Sequence, residues 1–364
     1  MPKLFEPLDI GPVRVPNRIA IAPMCQYSAH DGCASDWHFQ HHMMMAMSGA
    51  GLVMVEMTDV ERHGRITHGC LGLYSDDNER ALARTLAAAR GVAAPGARFG
   101  IQIAHAGRKA SAQKPWDGGS WLRPDQDPWR AVAPSSIPFD DGWPAPAELD
   151  EARLDHIRSS FAQAVKRAVR IGFDVIELHM AHGYLLHSFL SPIANRRSDS
   201  WGEPMAYPLS VADAIAAEVP AHVAWGARIT GYDWTEGGIV PGDAIALARA
   251  LRQRGASYVD VSSGGVTPKV KVEVGPGYQV RFAAEVKRAV PDLVVRAVGL
   301  IVEPTQAEEI LARGDADQIA IARALLADPR WGWRAAERLG AEIARPPQYA
   351  RVAPKLWPGA ALMR

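Results

Sequence analysis

Cysteine is scarce in this chain: three residues in 364, at Cys25, Cys33 and Cys70. An odd, sparse count cannot build a disulfide framework and fits a reducing compartment, so the expected location is the cytoplasm. Charge of one sign is missing too, with 40 basic residues against 40 acidic ones. No block of like charge occurs, which removes the usual basis for holding nucleic acid or a membrane surface. No run of about 18 uncharged apolar residues exists, so no membrane span is expected. The opening MPKLFEPLDIGPVRVPNR lacks the cationic start and apolar stretch of a secretory signal. No H-E-x-x-H string occurs, and no G-x-G-x-x-G follows an apolar run, so the common zinc-hydrolase and dinucleotide signatures are absent.

What the chain does have is a rhythm. Short apolar runs (RIAIAPM, GLVMVEM, FGIQIAH, DVIELH, HVAWGARI, YVDVSSGG, LVVRAVG and QIAIAR) alternate with amphipathic stretches such as RLDHIRSSFAQAVKRAVRIG and GDAIALARALRQRG. Continuously apolar strands belong to parallel sheets buried on both faces. A glycine just past each amphipathic stretch suits a helix C-terminus. The pattern predicts an α/β fold, a single (β/α)8 TIM barrel over residues 1–364 with an N-terminal hairpin. A doubly wound open sheet is the rival and lacks its glycine fingerprint.

Two regions break the rhythm. Between Lys114 and Ala147 lie seven prolines and four tryptophans. That is too proline-rich for helix and too aromatic for a plain connector, so 114–147 reads as a lid or binding loop, or as a surface loop held by tryptophan packing. The tail, 345–364, carries Tyr349, Arg351 and Trp357 and is expected to dock.

Polar residues gather at the C-terminal ends of the strand candidates, where barrels of this kind keep their sites. They include Cys25, Tyr27, Gln102, His105, His179, His182, Tyr184, Arg228 and Arg323, with Gly299 and Ala322 at the ends of the last two strands. The pair His179 and His182 admits three readings: metal ligands with His187 or Glu177, structural histidines, or two N–H donors aimed at one oxygen. The first sits at a strand end rather than on a helix, which favours the third. Tyr184 keeps its proton at neutral pH and can deliver it to a developing carbanion. A buried Arg228 needs a partner, either an internal carboxylate or an anionic cofactor. The end of the last strand, IARALLADPRW, can cradle one phosphate with Arg323. One phosphate site without a dinucleotide fingerprint favours FMN over FAD.

At this point the strings NRIAIAPMCQYSA, IQIAHAGRKAS, IELHMAHGYLLHSFLSPIANRRSD, VDVSSGGVTP, GPGYQV and QIAIARALLADP carry a resemblance. They are similar to the Old Yellow Enzyme family of flavin-dependent ene-reductases, and most of all to its thermophilic-like bacterial branch with the xenobiotic reductases. The likeness runs from Leu4 to about Arg351. It implies a barrel holding noncovalent FMN reduced by NADPH or NADH. Pro23, Met24 and Cys25 would line the flavin, Cys25 tuning its potential. Gln102 would bond the pyrimidine ring, Arg228 would face N1 and O2, and Gly299, Ala322 and Arg323 would hold the phosphate. His179 and His182 would grip a substrate carbonyl, with Tyr184 the proton donor and Tyr27 a second substrate contact. Arg351 would enter the site of a neighbouring subunit, which implies a homodimer or homotetramer.

Three departures stand out against the family pattern. Met57 replaces a small residue beside the flavin. The segment RRSDSWGEPMAYPL is about four residues short and lacks the usual Asn-Arg pair. Ala322 replaces a glycine but keeps its backbone N–H. The expected reaction is reduction of activated alkenes: enones, enals, maleimides or quinones. The runner-up keeps the flavin for nitro-compound reduction or a specialised dehydrogenation. A redox-silent barrel, aldolase-like or a metal-dependent hydrolase, is the reading from another class.

Overall fold

A computed structural model describes residues 1–362. The strands are β1 (Leu8–Ile10), β2 (Val13–Val15), β3 (Ile19–Ile21), β4 (Leu52–Asp59), β5 (Leu71–Gly72), β6 (Arg98–Ala104), β7 (Val132–Ala133), β8 (Ala147–Glu148), β9 (Val175–Met180), β10 (Ala224–Thr230), β11 (Tyr258–Ser262), β12 (Val294–Ala297) and β13 (Gln318–Ile321). The helices are α1 (Asp36–Ala46), α2 (Asp76–Val92), α3 (Glu151–Ile171), α4 (Leu185–Leu190), α5 (Ala206–Ala216), α6 (Pro241–Gln253), α7 (Val280–Ala289), α8 (Pro304–Ala312), α9 (Arg323–Ala327) and α10 (Trp331–Leu339).

The sheet runs β3-β13-β12-β11-β10-β9-β6-β4, and β3 also pairs with β4, which closes an eight-stranded parallel barrel. Each expected apolar run supplies one of these strands. The first is shorter than its run: Pro23 and Met24 have left the ladder and begin a loop at the C-terminal mouth. Helix α3 illustrates how the sequence builds the outer layer. Asp150 accepts the Arg153 N–H as N-cap, and Gly172 closes the helix at φ +98°, a left-handed turn glycine adopts freely. Between them Leu154, Ile157, Phe161, Ala164, Val165 and Ala168 are buried, the three-and-four spacing of one helical face.

The two ends of the barrel differ. At the N-terminal end the β1–β2 hairpin pushes Ile10, Val13 and Val15 against Ala20, Leu52, Met54, Val175, Ala224 and Tyr258. Each buried aliphatic side chain there is worth about 1.5–3 kcal/mol, so the hairpin acts as a plug. At the C-terminal end the 114–147 excursion packs against neighbouring loops. In the excursion Trp129 donates to the His63 carbonyl at 2.8 Å and Trp116 meets Tyr27 edge-on at 5.9 Å. Lys269 reaches Asp141 at 2.6 Å. Tryptophan packing therefore holds the excursion, and it brings one of those tryptophans onto a site residue. In the short segment before α5, Asp199 accepts the Trp201 N–H, and Trp201 stacks edge-on against Tyr207 at 5.7 Å. The helix is ordered without the Asn-Arg pair.

Candidate active site

Side chains two apart on a strand share a face. On β9 this sends Glu177 and His179 into the barrel at successive levels, and on β11 it does the same for Asp260 and Ser262. The lower level is a buried ionic floor. Arg296 Nη1 lies 2.9 Å from Glu177 Oε2 and 3.6 Å from Asp260 Oδ2. Tyr258 donates to Glu177 at 3.0 Å, Gln102 Nε2 donates to Glu177 Oε1 at 2.8 Å, and Arg296 Nε donates to Gln318 at 2.9 Å. A buried pair of this kind is worth little net, but losing one member costs about 3–5 kcal/mol. Glu177 is therefore spoken for and does not join the histidines as a metal ligand. His187 is likewise engaged, 3.1 Å from Asp233 and accepting the Gly183 N–H at 2.6 Å. Among the described residues no group of three His, Cys, Asp or Glu side chains could hold a metal ion.

Arg228 answers to both sequence readings. Its Nη2 donates to Asp260 at 3.1 Å, while its Nε is buried with no partner. An unspent buried N–H on a cation asks for an acceptor. Gln102 sits in register with Met57 across a bulge at Glu56, so the pyrimidine-binding candidate and the unexpected methionine are neighbours. Met57 is buried with Ile66, Cys70, Ala104, Ala106, Ala110 and Ala112, and Cys25, Tyr27 and Tyr184 pack on that wall.

The upper level is a cluster of three rings. His179 lies 5.1 Å from His182 and 4.9 Å from Tyr184, centroid to centroid, both edge-on. Burial holds both imidazoles well below the usual histidine range, with the other histidine foremost among the charges acting on His179 and Arg228 foremost on His182. Both are therefore neutral. His179 Nδ1 accepts the Ala181 N–H at 3.1 Å, which leaves the ring proton on Nε2. Burial, with Cys25 and Tyr27 nearby, pushes the Tyr184 hydroxyl up. Burial also pushes up the Cys25 thiol, helped by Cys70 and Glu56, so Cys25 is a thiol and not a thiolate.

The loop His182-Gly183-Tyr184 is bent and pinned. His182 stands at φ +61° and Gly183 at φ +76°. A Cβ on Gly183 would meet the Gly265 carbonyl oxygen at 2.2 Å, so only glycine fits. Lys109 donates to the His182 carbonyl at 2.9 Å and lies 4.9 Å above the Tyr184 ring. Arg108 donates to Val266 O at 2.5 Å and Pro138 O at 3.2 Å, tying the excursion to the loop after β11. Burial and Arg108 pull Lys109 down to about 8.

The residues expected to hold a phosphate lie at the ends of β12 and β13. Gly299, at φ +119°, would place a Cβ 2.6 Å from Gln279 Nε2. Ala322 is the N-cap of α9 and Arg323 its first residue, next to Tyr278. A left-handed glycine turn, an exposed arginine and the unspent Arg228 Nε together suit an anionic mononucleotide, so these residues fit FMN. Arg351 is exposed on the tail, whose Tyr349 packs on Trp333 at 6.0 Å and under Arg330 at 4.8 Å. Residues 363 and 364 of the tail lie outside the described residues.

Several groups escaped sequence reasoning. Lys109 stands in GRKAS, where a basic pair after a strand gives no hint of a carbonyl clasp. Asp260, Arg296 and Gln318 look like solvated positions in one dimension, and only barrel closure stacks them. Asp59 is buried with both carboxyl oxygens unpartnered, and burial pushes its pKa up.

Comparison with known proteins fits this geometry. Residues 3–342 match the NADH:flavin oxidoreductase / NADH oxidase family. The chain is 41% identical to an NADPH dehydrogenase of Listeria innocua over 357 residues, covering 96% of this chain and 99% of that protein. It is 40% identical to an NADPH dehydrogenase of Bacillus velezensis, covering 96% and 98%. Among solved structures, morphinone reductase superposes with a TM-score of 0.75 at 26% identity, over 95% of this chain and 92% of that one. The chain belongs to the NADH:flavin oxidoreductase / NADH oxidase family and is an oxidoreductase of the Old Yellow Enzyme type, working with FMN and NAD(P)H.

Proposed function

We propose that this chain is an ene-reductase that reduces the activated C=C bonds of enones, enals, maleimides or quinones. One observation carries the reading: two neutral imidazoles and a protonated phenol pack in one cluster, the His179 ring 5.1 Å from His182 and 4.9 Å from Tyr184. His179 and His182 hold the substrate's carbonyl oxygen, and the negative charge that builds there makes the β-carbon electrophilic. FMN, reduced by NAD(P)H, supplies the hydride that this carbon takes. Tyr184 gives its proton to the α-carbon, so the net change is two hydrogens added across the double bond. Tyr27 lines the same wall and contacts substrate. Cys25, as a neutral thiol, tunes the flavin as a weak donor rather than as an anion.

Pro23, Met24 and Gln102 flank the flavin ring, Arg228 faces its pyrimidine edge, and Gly299, Ala322 and Arg323 take its phosphate. Arg351, exposed on the tail, enters the site of a neighbouring copy in a homodimer or homotetramer. Buried Met57, in register with Gln102, narrows the flavin-side wall and favours the second reading, nitro-compound reduction or a specialised dehydrogenation on the same scaffold.

An anaerobic titration separates the two. NADPH or NADH should bleach the yellow protein, and cyclohexenone should restore the colour. Recolouring by a nitroarene but not by cyclohexenone would overturn the ene-reductase reading, and a colourless protein that refuses added FMN would overturn both.

A further inference from the structure

A neutral imidazole carries one N–H, so His182 can donate to a substrate oxygen only if its proton sits on the nitrogen that faces the cavity. Its Nε2 does not face there; it lies 2.7 Å from Ser262 Oγ. Donation to substrate must therefore come from Nδ1, and something must keep the proton off Nε2.

The surrounding bonds decide this, starting from the one group that can only donate. Trp234 Nε1 lies 2.9 Å from Ser263 Oγ, so Ser263 accepts from it and sends its own proton to Gln279 Oε1, 2.6 Å away. Gln279 is oriented by its other end, where Nε2 donates to the Val298 carbonyl at 3.3 Å. With Gln279 Oε1 already supplied, Ser262 has a choice between that oxygen at 3.2 Å and His182 Nε2 at 2.7 Å. The shorter contact takes the proton, and His182 Nε2 becomes an acceptor.

We propose that the Trp234–Ser263–Gln279–Ser262 chain is a positioning device that holds His182 as its Nδ1–H tautomer. The two histidines are then set oppositely, His179 bearing its proton on Nε2 through the Ala181 N–H and His182 on Nδ1. Both rings then keep one N–H free to donate to the same oxygen. If Ser262 gave its proton to Gln279 instead, His182 Nδ1 would be a bare acceptor and would repel a carbonyl oxygen gaining negative charge. The inference rests on the donor-pair reading of the site, and it gives a positioning role to SSGG and YQ, two strings whose hydroxyls and amide had no part in it.

The test uses FMN-loaded protein labelled with nitrogen-15 at histidine, whose ring-nitrogen shifts report the tautomer directly. Wild-type His182 should show protonated Nδ1 and unprotonated Nε2. Ser263→Ala leaves every direct contact of His182 in place but removes the donor to Gln279, so Ser262 should turn to Gln279 and His182 should switch to Nε2–H. Ser262→Ala should give a mixture of tautomers. His179 should be unchanged in both variants, which serves as the check on folding. Phenolate, whose oxygen carries the negative charge, should bind about tenfold more weakly to Ser263→Ala, the worth of one hydrogen bond, and by a smaller factor to Ser262→Ala, where part of the population keeps Nδ1–H. A wild-type His182 protonated at Nε2, or variants whose His182 signals match wild type, would overturn the proposal. Tautomers that move as expected while phenolate binding holds would uphold the chain and sink the donor-pair reading instead.

Discussion

Two regions of this molecule bury neutral histidines, and they do opposite things with them. At the mouth, His179 and His182 each spend one ring nitrogen on a fixed partner and leave the other without one. On α1, His41 and His42 stack edge-on at 5.1 Å, and both ring nitrogens of His42 are buried without a partner. Burial lowers the pKa of all four. A depressed histidine pKa therefore marks burial and not function. What marks the site is a ring fixed through one nitrogen while the other stays free, beside a second ring held the same way.

The largest expected break comes from truncating the mouth pair. His179→Ala and His182→Ala should each slow enone reduction by about 10²–10³-fold, the usual loss for one oxyanion donor, while FMN stays bound. Stopped-flow reoxidation of the reduced flavin by cyclohexenone measures this; wild-type rates in both variants would erase the distinction between the two regions.

Acid sharpens the comparison from the other side. An unfolded histidine takes its proton near pH 6.5, whereas His41 in the fold holds off until about 4. Between those values the unfolded chain binds more protons, so stability falls as pH drops through the window and levels off below it. The contribution of His41 is about 3 kcal/mol across that span. Urea unfolding at pH 7 and pH 4.5 should show the loss, and His41→Phe should remove one proton from the slope. An unchanged slope would mean His41 is not neutral in the fold.

The smallest effect is expected at His42. Its ring nitrogens make no bonds, so His42→Leu should be neutral or stabilise by about 1 kcal/mol, because it removes an unsatisfied polar group of similar volume. A loss of more than about 1 kcal/mol in urea unfolding would point to a partner for the imidazole and would align the α1 pair with the mouth pair.

The legible parts of the chain were those governed by local rules. Every barrel strand was readable as an apolar run between helical stretches, and Gly172 announced the end of α3. HxxHGY could be read as chemistry because a strand end, a turn glycine and three polar rings rarely coincide by accident. Arg228 was readable only as a question, since an arginine inside an apolar run must find an acceptor and the sequence does not say which. Asp260 and an unspent Nε answer it. Lys109, Ser262 and Gln279 were invisible as site groups because each acts on a residue at least 16 positions away.

By itself, the order of residues determined the alternation of strand and helix, the N-terminal hairpin, and the family to which the chain belongs, because periodicity and turn chemistry act over a few neighbours. Only the closed barrel decided which charges neutralise one another, that Gly183 must touch Gly265, and which nitrogen of His182 is free. Those are matters of distances near 3 Å between residues far apart in sequence, and hydrogen bonds and ion pairs fall away steeply beyond that range.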